Sequence, residues 1–143
     1  MSDDVILNKI ESLRRCVMRV EDKTPEDVTE LIEDIDLQDI IVLNLERAVQ
    51  LCVDIGLQII GKLNLSVPDN MGDTFRVLAD ENIISPDNAD ALMHAVGFRN
   101  TAVHAYQQID WNIVYVIITE HLENFRNFVR SVLTFLDKEA EAD

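Results

Sequence analysis

Apolar residues recur at helical spacing along most of this chain. In residues 5–21, Ile6, Ile10, Leu13, Val17 and Val20 fall on one face, the stepping of an amphipathic helix. Thr24-Pro25-Glu26-Asp27 reads as a start signal: a cap, a proline for the first helical position, and acids for the positive end. It predicts a short helix over 25–35. Residues 37–63 are long and strongly apolar, which predicts a helix of about 40 Å and a central place in a bundle. Residues 66–72, with Pro68 and Asp69, read as a loop, and 73–81 as a short helix. Ser85-Pro86-Asp87 repeats the start signal and opens a helix reaching His104. Gly97 inside it lacks a side chain, so a neighbouring helix could approach closely there, at a cost of about 1 kcal/mol relative to Ala. Asp110 caps a final helix over 111–137, with Ile113, Val116, Ile117, Leu122, Phe125, Val129, Val132, Leu133 and Leu136 as its stripe. Trp111 and Tyr115, one turn apart, predict an aromatic contact.

These elements predict an all-α fold: an antiparallel four-helix bundle with one or two additional short helices. One domain is expected over 1–138, followed by an acidic disordered tail at 139–143. A hydrophobic content of 48% argues against a disordered chain, and the four Gly and three Pro are few, which favours a helical domain with short connections. Residues 40–60 are interrupted by Glu46, Arg47 and Asp54, which excludes a membrane span. Cys16 and Cys52 lie in apolar patterns away from any Cys/His cluster, so both are expected to be reduced packing residues. No metal site and no cofactor is implied. The start, Met1-Ser2-Asp3-Asp4, has no signal-peptide pattern, and a cytoplasmic location is expected.

Charge changes the picture more than composition does. The net charge is -15, from 12 basic and 27 acidic residues, which speaks against holding long stretches of nucleic acid. Residues 26–39 read as an acidic solvated face. A small basic cleft is still compatible, and Arg14, Arg15 and Arg19 on the first helix are the residues expected to form it, with a plain solvated helix face as the alternative. His94 and His121 have no Arg or carboxylate at ligand spacing and are expected at the surface.

The chemistry concentrates in Gly97-Phe98-Arg99-Asn100-Thr101-Ala102-Val103-His104-Ala105-Tyr106. Arg99 supplies a permanent planar cation suited to phosphate oxygens, and His104 a group that exchanges protons near neutrality. On a straight helix Asn100 and His104 lie about 40° apart and Arg99 and Tyr106 about 20° apart, but Arg99 and His104 about 140° apart. Either the helix ends near His104, with Gln107-Gln108-Ile109-Asp110 as its exit, or a second copy completes the site. From the residues alone, an Arg-Asn-His cluster held together only for structure is an open alternative.

Arg99-x4-His104-x-Tyr106 resembles the active-site motif of HEPN-domain ribonucleases, in particular the HepT toxins of type VII toxin–antitoxin pairs. Leu37-Gln38-Asp39 with Leu43-Asn44-Leu45-Glu46-Arg47 is similar to that family's second-helix signature. Phe75-Arg76-Val77-Leu78, Ile83-Ile84, Met93 and Val96-Gly97-Phe98-Arg99-Asn100 are similar to its central segment. The resemblance covers roughly residues 1–137. It implies a homodimer with a composite cleft and metal-independent cleavage of cellular RNA, messenger or transfer. In that scheme Arg99, Asn100 and His104 are catalytic. His104 acts as base, Arg99 binds the scissile phosphate, and Asn100 orients His104 or bonds a phosphate oxygen. It further implies a MntA-like nucleotidyltransferase antitoxin as partner, which attaches AMP to Tyr106. A catalytically silent HEPN module that binds a nucleotide or a protein is the alternative, favoured by the acidic surface and opposed by the intact triplet.

Overall fold

The computed structural model describes residues 3–142; Met1, Ser2 and Asp143, the last of the expected acidic tail, lie outside them. Among the described residues there are seven α-helices and one 3-10 turn, and no strand: α1 Asp4–Lys23, α2 Val28–Glu33, α3 Ile35–Lys62, α4 Met71–Asp80, α5 Pro86–His104, the turn Tyr106–Gln108, α6 Trp111–Glu120 and α7 Glu123–Ala142. The long helices α1, α3, α5 and α7 form the antiparallel bundle. As its length and apolar content predict, α3 is the central member, packed on α1, α4, α5 and α7. One continuous core runs through Leu13, Leu45, Ile55, Phe75, Leu92, Phe128 and Val132. Phe75 and Phe128 meet edge to face at 5.9 Å.

Charged contacts define the two ends of the bundle. Lys62, closing α3, lies 3.2 Å from Asp3 and 2.7 Å from Glu139, so it ties the start of α1 and the last turns of α7 to one end. The opposite end carries the C-terminus of α5, the N-terminus of α3, and α2. α7 continues to Ala142, through the stretch expected as a disordered tail, and Glu139 within that stretch pairs with Lys62. No helix among the described residues is long and apolar enough to cross a membrane.

Several local expectations are corrected. Thr24 does not cap α2; it ends α1, its hydroxyl donating to the Val20 carbonyl at 2.8 Å, and Asp27 caps α2 by accepting from the Glu30 N–H. The expected final helix is two, because the chain turns at His121-Leu122 so that α6 covers α2 while α7 enters the bundle. Ile113 and Val116 are exposed accordingly, and Val114 and Ile118 carry the buried face of α6. Trp111 and Tyr115 do not pair: Trp111 meets Tyr106, and the Tyr115 hydroxyl donates to the Pro25 carbonyl at 3.1 Å. At Gly97 a Cβ would meet nothing within 4 Å; the close approach is at Gly56, where a Cβ would lie 2.5 Å from Thr74 Cγ2 of α4. Cys16 and Cys52 are free thiols and buried.

Candidate active site and an arginine groove

Ser85 caps α5 by accepting from the Asn88 N–H, with Pro86 in the first turn, and Asn88 anchors the helix by donating to the Asn124 carbonyl at 2.9 Å. The far end is therefore held at a fixed height, and there α5 stops at His104. Ala105 leaves helical geometry at φ -147°, and its N–H still bonds the Thr101 carbonyl at 2.8 Å. Of the two alternatives left by the 140° separation, the end of the helix at His104 is thus present. Tyr106 starts the 3-10 turn instead of continuing the helix, so the 20° relation to Arg99 does not hold.

Arg99 is partly buried and bonds the neighbouring Asn100 Oδ1 at 3.4 Å; it makes no ion pair among the described residues. Its charge is therefore available to an incoming anion. Asn100 and His104 are exposed on one face, one turn apart, with no hydrogen bond between them among the described residues. The amide steadies Arg99 and not the imidazole. His94 bonds the Asp90 carbonyl on its own helix and His121 ends α6, both exposed as expected.

Tyr106 is the best-anchored member of the cluster. Its hydroxyl donates to Asp39 Oδ1 of α3 at 2.7 Å, and its ring lies edge to face with Trp111 at 6.0 Å. Burial, then the hydrogen bond to Asp39, then the charges of Asp39 and Glu46 all raise the phenol's pKa, so it is neutral at physiological pH. Asp39 was noted in the sequence only as part of Leu37-Gln38-Asp39, and the structure separates the three jobs of that tripeptide. Leu37 packs on the core, Gln38 donates to the Leu31 and Ile32 carbonyls that α2 leaves open, and Asp39 holds Tyr106.

A second feature lies between α1 and α3. A groove of about 520 Å³ is lined by Arg15, Arg19 and Arg47 with Ser12, Cys16, Asn44, Gln50, Leu51 and Asp54. None of the three arginines makes an ion pair among the described residues, in a chain rich in acids. The Asp54 carboxylate is engaged by Gln50 at 2.9 Å and faces Lys9 at 3.9 Å. Arg14 does not join them: it pairs with Glu11 at 2.7 Å. Arg47 was missed because it belongs to another helix, although it ends the Leu43-Asn44-Leu45-Glu46-Arg47 signature. Burial raises the Cys16 thiol's pKa against the opposing pull of Arg47 and Arg15, so the groove holds a neutral thiol. The acidic stretch forms a separate concavity of about 490 Å³ lined by Glu30, Glu33, Asp34, Ile35, Asp36 and Leu37.

Comparison with known proteins gives three findings. A family model described as "Ribonuclease HepT-like" matches residues 6–132. An "mRNA nuclease HepT" of Shewanella oneidensis is 37% identical over 127 residues, 89% of this chain and 95% of that protein, and a "tRNA nuclease HepT" of Aphanizomenon flos-aquae is 29% identical over 92 residues, 64% of this chain and 63% of that one. Among solved structures, a tri-AMPylated Shewanella oneidensis HEPN toxin in complex with MNT antitoxin superposes with a TM-score of 0.86 at 36% identity, covering 94% of this chain and 99% of that one.

Proposed function

This chain belongs to the HepT-like ribonuclease family, and we propose on that premise that it is the RNA-cleaving toxin of a toxin–antitoxin pair, silenced by a nucleotidyltransferase antitoxin that attaches AMP to Tyr106. The observation that carries the reading is the end of α5: a guanidinium without a carboxylate partner among the described residues, an exposed imidazole and an anchored phenol, all within the motif. The whole of 1–138 is taken as one catalytic domain acting in the cytoplasm. No group of three or more His, Cys, Asp or Glu is placed to hold a metal among the described residues, and the scheme needs none.

Cleavage then runs on proton transfer and charge stabilisation. His104 takes the 2'-hydroxyl proton as the 2' oxygen attacks phosphorus. Arg99, steadied by Asn100, binds the phosphate and stabilises the charge that builds on it. The 5' oxygen leaves with a proton from a second imidazole, and a 2',3'-cyclic phosphate remains. That second imidazole comes from the other subunit of a homodimer, since an isologous interface presents the same patch twice. Arg15, Arg19 and Arg47 hold the strand away from the cut. Arg47 lies two turns beyond Asp39 on α3, about 12 Å along the axis. AMP on Tyr106 adds a phosphodiester charge and a nucleoside beside this pocket and competes with the RNA phosphate.

Purified protein should cleave messenger or transfer RNA to cyclic-phosphate ends, with a sedimentation mass near twice 16.3 kDa. His104→Ala should slow single-turnover cleavage by about 10²–10⁴-fold. Intact RNA with the wild type, together with nucleotide binding in a titration, would replace this reading with the silent binding module.

A further inference from the structure

Tyr106 and Asp39 are 67 residues apart in sequence, and their 2.7 Å hydrogen bond joins the exit of α5 to the first turns of α3. Three things make it more than a surface contact. The donor is the one oxygen that would be modified. The carboxylate has no other partner among the described residues, so it is an uncommitted acceptor. The phenol is held in place by Trp111 and by the 3-10 turn, whose Ile109 N–H bonds the Tyr106 carbonyl at 3.1 Å, yet Tyr106 stays 39% exposed and open to a large co-substrate. We propose that Asp39 is the general base that takes the Tyr106 proton when the phenol is adenylylated. The proposal rests on Tyr106 being the residue that receives AMP.

A neutral phenol is a poor nucleophile, and it is activated by an adjacent base within hydrogen-bond reach. The alternative, a phenolate formed in advance, is disfavoured here because burial opposes the charged form and Asp39 and Glu46 both set negative charge against it. The proton must therefore leave as the new bond forms. In the step, Tyr106 Oη attacks the α-phosphorus of ATP, and the Oη–Pα bond forms. The bond from Pα to the oxygen bridging the β-phosphorus breaks, and pyrophosphate departs with that electron pair. The Oη proton passes to Asp39, which later returns it to water. The product ester oxygen has no proton to donate, so the Tyr106–Asp39 bond cannot re-form. A carboxylate then faces a phosphodiester of like charge, which pushes the modified side chain away from α3. A phenol has one oxygen, so any second or third AMP attaches elsewhere, and those additions do not use Asp39.

The test is single-turnover transfer of labelled AMP from ATP to this protein in complex with its nucleotidyltransferase, the latter saturating, resolved by intact mass into first and later additions. Asp39→Asn keeps a hydrogen-bonding side chain but cannot take a proton. It should slow the first addition about 10²-fold, leave later additions at their wild-type rates, and remove the acidic limb of the pH–rate profile. Asp39→Glu restores a base and should bring the first addition back to within about tenfold. First addition at the wild-type rate in Asp39→Asn, or an unchanged pH profile, would overturn the proposal while Tyr106→Phe still blocks transfer. AMP accepted by Tyr106→Phe would instead overturn the assignment of Tyr106 on which it rests.

Discussion

At the residue scale, two glycines show why a sequence pattern does not say which small residue is structural. Gly97 interrupts α5 beside the motif, but a Cβ there meets open space, so Gly97→Ala should raise stability by up to about 1 kcal/mol through helix propensity. Gly56 lies where α4 crosses α3, and its Cβ would come within 2.5 Å of Thr74 and 3.2 Å of Leu78. Gly56→Ala should therefore cost about 1–3 kcal/mol from overpacking. Urea midpoints of the two variants check both signs. Arg99, Asn100, His104 and Tyr106 stood out in the sequence as candidates by their types, their spacing and the family resemblance. Asp39 and Arg47 were not, because each earns its place through a partner on a different helix.

At the element scale, most helix starts were readable because caps are local: Ser85 and Asp110 cap as expected. The break between α6 and α7 was not, since neither Gly nor Pro marks His121-Leu122 and the reason for it is the packing of α6 on α2. Charged contacts join α7 to its neighbours and give stability a pH dependence. Arg126 reaches Glu21 of α1 at 2.6 Å, and Arg130 and Arg126 hold the Glu123 carboxyl below its ordinary value of 4.5. A depressed folded-state pKa contributes stability above the ordinary value and loses it as pH falls through the lowered one. Lys62 has the opposite sign: hydrogen bonds to Glu139 and Asp3 raise it above 10.5, so its contribution is present below that pH and fades as pH climbs through the folded value. Urea midpoints should fall at both extremes. Glu123→Gln should flatten the acid limb and Lys62→Met the alkaline one, each by a small amount because the groups are largely in water.

For the whole molecule, the distribution of charge matters more than its sum. A net charge of -15 opposes RNA, but the arginine groove concentrates cations without ion-pair partners among the described residues. Arg15→Gln, Arg19→Gln and Arg47→Gln should each weaken RNA binding about equally for every sequence. Each should also lower the slope of log K against log salt by about 0.7, the value for one single-strand phosphate contact. Arg14→Gln should leave that slope unchanged, because its guanidinium is committed to Glu11. Binding titrations on a short single-stranded RNA between 50 and 200 mM salt, roughly the range over which such contacts respond, separate the four variants.

Helical periodicity and caps were enough to determine the all-α bundle and the central place of α3, and the motif's residue types and spacing singled out the Arg-Asn-His-Tyr set as the candidate site. These are properties of neighbours in sequence, set by a rise and a turn angle that every α-helix shares. Which carboxylate meets Tyr106, which arginines share a groove, and where a glycine is needed are distances between residues on different helices. They depend on how far each helix is shifted and rotated against the next, and the packing of side chains across the core decides that. Asp39 at 2.7 Å from a phenol 67 residues away is such a distance, and only the folded chain contains it.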